Sequence, residues 1–331
     1  MSYVGNGTSI PIIATNLFSH SNSFINGILT VSAASSALTI SVKTRAGNDP
    51  STADPVYVIY RNATSATGDM TILTLIAATS FTISSGSTLG VTSSTAFRIW
   101  VVGFNDAGTF RLGVINCSTS TNIYSLNDGV LASSTAEGGA GAADSAGIFY
   151  TGTAVSSKAF RILGYIEWSS SGLTAGTWTT TNLLYTQLFG PGIKKPGDLI
   201  KMKMVTSTGT ASTTGTTYVD GGFSGGTITP ESAANIIKVT VCGTFRQSTS
   251  GVRGYCRLAR TSNSNMFGTE NTLFVTGTAP IIVPVTLQGI DAPNSISSIT
   301  YLVMIKDGSG GTTIWNGESV NCSMILEEYM S

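Results

Sequence analysis

Ionised side chains are scarce: only 10% of the 331 residues are Asp, Glu, Lys or Arg, against roughly 25% in an average soluble protein. The two signs balance at 17 each, so no net field keeps copies apart, and net charge near zero favours association. Such a surface is either built from Ser, Thr, Asn and Gly or hidden in contacts between subunits. The balance also excludes a nucleic-acid partner, which needs a basic patch to neutralise phosphates. The densest basic group, Lys194, Lys195, Lys201 and Lys203, is interrupted by Pro196 and Asp198 and reads as a solvated strand with its lead-in.

Catalytic and metal-binding residue types are equally thin. The one histidine, His20, lies in the polar stretch FSHSNSF, where a Ser–His–Asp relay has no scaffold, so His20 reads as a surface or contact residue. G-x-S-x-G occurs at Gly222, Phe223, Ser224, Gly225 and Gly226. A nucleophile elbow needs a strand–turn–helix and a later histidine; here no helix pattern follows and the histidine comes first, so a turn is expected. No H-E-x-x-H or P-loop motif is present. Cys117, Cys242, Cys256 and Cys322 never form a C-x-x-C pair, which disfavours zinc. They read as small buried hydrophobes of a chain folded under reducing conditions, with a Cys242–Cys256 bridge left open. No stretch approaches the ~18 consecutive apolar residues of a spanning helix, so no membrane insertion is expected. The opening MSYVGNGTSIPIIATNLFSH has no basic start and no long apolar core, and is not expected to be a secretory signal. No cofactor and no metal is expected.

Glycoside hydrolysis would need two carboxyl groups about 5–10 Å apart on one cleft. Glu327 and Glu328 are adjacent in a strand-like run and point to opposite faces. Asp49 and Asp54 share the loop GNDPSTADP, where turn chemistry explains them better than calcium. Glu167 beside Trp168 fits a sugar site, but a strand end beside solvent is the commoner arrangement. The chain reads as a non-enzyme.

What is present is strand. Short runs rich in Val, Ile, Thr, Phe and Tyr are punctuated by Gly, Ser, Asn and Asp. LTISVK (38–43), VYVIYRN (56–62), FRIWVVGF (97–104), FRLGVIN (110–116) and AFRILGYIEW (159–168) stand out in the first half. In LTISVK and FRIWVV every second residue is apolar, as a sheet with one buried face requires. FGPGIKKPGD (189–198), with two prolines and three glycines, reads as a linker. Beyond it lie LIKMKMV (199–205), TTYVDGG (216–222), NIIKVTVCGTFR (235–246), VRGYCRLAR (252–260), TLFVTG (272–277), IIVPVTL (281–287), ITYLVMIK (299–306) and VNCSMILEEY (320–329). Pro284 marks an edge strand or bulge, because a central strand needs every N–H. About eight strands in this half match a two-sheet jelly roll. The expected fold is all-β: an N-terminal attachment segment (1–26), a β-sandwich-like domain (27–190), a linker (191–198) and a jelly-roll-like C-terminal domain (199–331).

Some of these runs are familiar. FTISSGSTLG (81–90), AFRIWVVGFNDAGTFRLGVIN (96–116), SSTAEGGAGAADSAGIFYTG (133–152), FRILGYIEW (160–168) and AGTWTT (175–180) resemble a domain of phage and prophage tail-fibre proteins. GDLI (197–200), TITPESAANIIKVTV (227–241), SITYLVMIK (298–306) and MILEEYM (324–330) resemble the knob that ends many such fibres. Such knobs are similar to tumour-necrosis-factor-like jelly rolls, which associate as trimers. The resemblance implies a structural or adhesive virion protein. It would be a homotrimer assembled in the bacterial host cytoplasm, docked on other virion proteins through its N-terminal segment and meeting the host surface, where glycans are candidate receptors. It transfers no catalytic residue. A capsid decoration or head-fibre protein and a surface-polysaccharide depolymerase are the rival readings. For receptor contact the loop TSNSNMFGTEN (261–271) offers Asn263, Asn265 and Phe267, and DGSGGTTIWNGES (307–319) offers Trp315 and Asn316, since sugar faces stack on rings while Asn bonds hydroxyls.

Overall fold

The computed structural model describes residues 23–62, 69–139, 144–169, 173–223, 226–260, 265–317 and 320–331. His20, Ser224, Asn263 and most of the 1–26 segment lie outside them. Among the described residues there is no α-helix, and the fold is all-β. The chain divides into two compact units, Met1–Cys117 with Ser125–Ile193, and Ser118–Tyr124 with Lys194–Ser331.

The first unit contains β1 (Phe24–Ile25), β2 (Gly27–Ala34), β3 (Ala37–Thr44), β4 (Val56–Arg61), β5 (Met70–Leu75), β6 (Thr79–Ile83), β7 (Phe97–Asp106), β8 (Thr109–Ile115), β9 (Leu131–Ala132), β10 (Thr135–Ala136), β11 (Tyr150–Thr151), β12 (Lys158–Trp168) and β13 (Leu183–Leu188). They form two three-stranded sheets, β1-β4-β5 and β2-β3-β6, and a larger sheet ordered β10-β11-β8-β7-β12-β13, with β9 also on β12. The NDAGT turn joins β7 to β8 as a hairpin: Ala107 and Gly108 both have positive φ, 51° and 91°, the twist a tight hairpin turn demands. Asn105 accepts the Gly108 N–H at 2.9 Å.

Alternation holds in β3, where Leu38, Ile40 and Val42 are fully buried and meet Val58 of β4 and Ile99 and Val101 of β7 in one core. It fails in β7. Eight consecutive residues from Phe97 are buried, so FRIWVV has two covered faces rather than the expected one. Near-continuous apolar character is what a strand buried on both sides requires. One face joins the core; the other carries an aromatic layer in which Trp100 meets Tyr165 at 4.9 Å and Phe104 meets Phe160 at 5.5 Å.

The second unit contains β14 (Leu199–Ser207), β15 (Ala211–Thr213), β16 (Val219–Asp220), β17 (Thr227–Ile228), β18 (Ile236–Gln247), β19 (Arg253–Arg260), β20 (Met266–Phe274), β21 (Ile281–Asp291), β22 (Ile299–Asp307), β23 (Thr313–Trp315) and β24 (Cys322–Tyr329). One sheet runs β14-β24-β18-β23-β15 with β21 also on β18; the other runs β16-β22-β19-β20 with β17 also on β22. Val239, Val241, Met324 and Leu326 from the first pack against Leu258, Tyr301 and Val303 from the second, with Trp315 among them. This is a two-layer, jelly-roll-like sandwich. Pro284 sits opposite Thr244 in β21, whose one ladder among the described residues is with β18, so its missing N–H falls on a free edge.

Candidate functional site

The carboxylates weighed for hydrolysis are engaged elsewhere. Glu167 does not lie beside solvent: its side chain is 2% exposed and that of Arg98 3%. The two are direct cross-strand partners, with Arg98 Nε 2.5 Å from Glu167 Oε2. β13 lies beside β12 with Tyr185 opposite Glu167, and Tyr185 donates its hydroxyl to the same oxygen at 3.1 Å; burial, then the Glu167 charge, pushes that hydroxyl's pKa up. Asp49 pairs with Lys43 at 2.7 Å, and Asp54 accepts from Asn26 Nδ2 at 2.7 Å. Among the described residues no group of three or more His, Cys, Asp or Glu gathers to hold a metal. All four cysteines are free thiols; burial raises Cys256 to about 12. A Cys242–Cys256 bridge is not formed, since Cys242 faces outward on one sheet while Cys256 faces the core from the other.

Of the loop residues proposed for receptor contact, Asn265 is exposed. Phe267 belongs to β20 rather than a loop, with its ring 5.6 Å from Tyr301 and against Gly289, where a Cβ would come within 2.7 Å of it. Trp315 and Asn316 are each 0% exposed. Trp315 ends β23, wedged so tightly that a Cβ on Gly243 would stand 2.5 Å from its ring. Asn316 adopts a left-handed φ of 52° and donates to the carbonyls of Gly209 and Val320 at 3.2 and 2.8 Å. Both hold the fold and neither offers a contact surface. The turn in this segment is made earlier, by the GSGGT run (308–312), and the chain is back in strand from Thr313.

The surface that stands out instead is the outer face of the β14-β24-β18-β21 sheet. Ladder register places its side chains in rows. Met202 of β14 lies opposite Glu327, which lies opposite Lys238, which lies opposite Ile290. The next row reads Met204, Ile325, Thr240 and Gln288. Farther along, Ile282 stands opposite Arg246, which stands opposite Ile314. Met202 and Met204 are each 60% exposed, with Ile282 at 39% and Ile290 at 38%. Lys238 and Glu327 form an ion pair at 3.0 Å within this face. The lysines of β14 leave the face apolar because they turn the other way: Lys201 and Lys203 reach the carbonyls of Thr229 and Thr227 at 2.7 and 2.8 Å.

The outer face of the second sheet differs in kind. Lys306 of β22 lies between two rings, its Nζ 4.6 Å from the centroids of both Tyr218 and Tyr255, and 3.7 Å from Glu270. Tyr218 donates to the same Glu270 carboxylate. At the end of this face Arg253 stacks 5.3 Å over Phe274, its cross-strand partner. Sequence reading missed both faces, because each is assembled from strands far apart in the chain. The one legible signal was KMKM in β14, a run alternating charge with exposed methionine.

No protein-family model matches the chain, and no curated protein matches it. Solved structures similar to it include that of infectious bursal disease virus Gx strain, at 8% identity and a TM-score of 0.25, covering 93% of this chain and 77% of that one. Infectious bursal virus derived T=1 particles match at 10% identity and a TM-score of 0.25, covering 94% and 76%. The VP2 subviral particle of infectious bursal disease virus matches at 8% identity and a TM-score of 0.25, covering 94% and 78%. At these TM-scores the likeness is slight, and the strand ladders alone define the fold.

Proposed function

We propose that this chain is a structural protein of a virus particle, non-catalytic, working as a homotrimer whose copies meet through the outer face of the β14-β24-β18-β21 sheet. One observation carries the reading: Met202 and Met204 stand in neighbouring rows of this face, each 60% exposed, in a chain with little charge elsewhere to keep copies apart. Exposed apolar side chains gathered on one sheet face mark interaction sites. Lys238 and Glu327 neutralise each other on this face at 3.0 Å, and Arg246 adds one positive charge farther along it. Four strands about 4.8 Å apart and roughly nine residues long present on the order of 500 Å². A stable interface uses about 800 Å² per partner, so the contact extends beyond the face onto the adjoining edge of β14.

Three copies, a bacterial virus and a place on a tail fibre follow from the resemblance of 27–190 and 197–330 to tail-fibre domains. On the same ground the N-terminal segment docks on other virion proteins and the chain contacts the host surface. The carboxylates tied up by Arg98, Lys43 and Asn26 support a role without chemistry. Immuno-electron microscopy of particles tests the assignment. Label on the tail appendages is the expected result; label confined to capsid faces would replace the fibre by a decoration protein, and particles free of the chain would overturn the virion reading.

A further inference from the structure

An open hollow lies at the end of the second sheet's outer face. Its volume is about 380 Å³, within the roughly 300–1,000 Å³ range of small-molecule pockets. Arg253 and Tyr255 of β19, Phe274 of β20 and the turn Gly308–Ser309 after β22 line it. Phe274 is 47% exposed, an apolar ring left at the surface of a strand with no core partner for its open side. The turn closes in because residue 308 is glycine. Its N–H donates to the Arg253 carbonyl at 2.6 Å, and a Cβ there would stand 2.7 Å from that oxygen and 3.4 Å from the Tyr255 ring.

Charge in the hollow is one-sided. Among the described residues Arg253 makes no ion pair; its guanidinium lies over Phe274. Asp307, beside the turn, does not compensate it. That carboxylate is 1% exposed and accepts from Gln247 Nε2 and Thr313 Oγ1 on one oxygen and from the Gly311 N–H on the other. Lys306 adds a second positive charge behind the Tyr255 ring, matched in part by Glu270. A guanidinium is a planar fork that binds carboxylate bidentately, and a ring beside it offers a face for the C–H side of a pyranose.

We propose that this hollow binds an acidic saccharide. The sugar carboxylate sits on Arg253, the ring face lies against Phe274, and the hydroxyls meet Ser309 and the tyrosine edge. The inference deepens the host-contact part of the reading above and rests on it. It moves receptor contact from the loop residues Asn263, Asn265, Phe267, Trp315 and Asn316 to the ends of β19, β20 and β22. Affinity of a single site is expected to be weak, and several copies on one particle multiply it.

Saturation-transfer NMR on the full chain tests this, with glucuronic, galacturonic and N-acetylneuraminic acids as probes, glucose and galactose as neutral counterparts, and inorganic phosphate as the anion without a ring. The expected result is binding of at least one acidic sugar, weakened tenfold or more by Arg253→Gln, by Phe274→Ala and by loss of the sugar carboxylate, and weakened by added salt. Both substituted residues are exposed strand positions, so the variants fold; the sedimentation behaviour of each variant confirms it. No binding by any acidic probe, equal binding by Arg253→Gln, or equal binding by the neutral sugars or by phosphate overturns the proposal. Any of those results leaves the self-association of the first sheet's face untouched, and a monomeric chain that still binds the acidic sugar would sink the assembly reading alone.

Discussion

β7 and β18 are both central strands, yet they treat their side chains differently. β7 buries eight residues in succession, Phe97 to Phe104. β18 buries Ile237, Val239 and Val241 while Lys238, Thr240 and Cys242 stay partly or fully accessible. The charged residues follow suit. The first unit encloses its Arg98–Glu167 pair, whereas in the second unit Lys238 and Glu327 pair with side chains 41% and 17% exposed. The central strands β7 and β12 of the first unit are therefore covered on both faces within the chain, while Leu184 and Tyr185 of the neighbouring β13 stay exposed. The outer face of the other unit is open, with Met202 and Met204 exposed on it, and it is the face proposed above to meet a second copy.

Three changes probe that contrast, from largest effect to smallest. Trp315→Ala removes a fully buried ring from the second unit's core, and about 3–5 kcal/mol of stability should go with it, read by urea denaturation. Next, the same substitution is made in both ion pairs. Glu167→Gln leaves Arg98 buried beside a neutral amide and should destabilise by about 3–5 kcal/mol; Glu327→Gln should change stability by at most about 1 kcal/mol. Equal effects would erase the distinction between a finished sheet and an open one. The smallest effect concerns pH. Burial raises Asp291 above its ordinary 3.8, against the opposing pull of Tyr301 and Arg260. A carboxyl raised in the folded state binds its proton more tightly there than when unfolded, so its contribution is full below 3.8 and fades as pH climbs through the raised value. Asp291→Asn should remove that component, seen as a flatter pH dependence of the urea midpoint over the same window.

Much of the strand pattern was legible in the sequence. LTISVK, VYVIYRN, LIKMKMV and ITYLVMIK fall in β3, β4, β14 and β22, because alternation and β-branched residues report a half-buried ladder directly. Two-residue pieces such as β1, β9 and β10 were not, since pairs that short carry no period. Trp315 misled for a different reason. Glycines before it signal a turn, and nothing local shows that the chain re-enters the sheet at Thr313 to pair with both β15 and β18. Arg98 and Glu167, 69 positions apart, meet only through register. The same holds for Met202 and Ile290, which share a row across four strands and no proximity in the chain.

Sedimentation equilibrium of the pure chain beside the double variant Met202→Lys, Met204→Lys addresses the assembly itself. The unmodified chain should travel with three times its 34.2 kDa mass. The variant should fall to a single chain that still unfolds cooperatively, its midpoint lowered only by the stabilisation that assembly adds, because exposed strand positions tolerate polar side chains. An unmodified chain that remains a single molecule at high concentration, or a variant that assembles as well as its parent, would contradict the account.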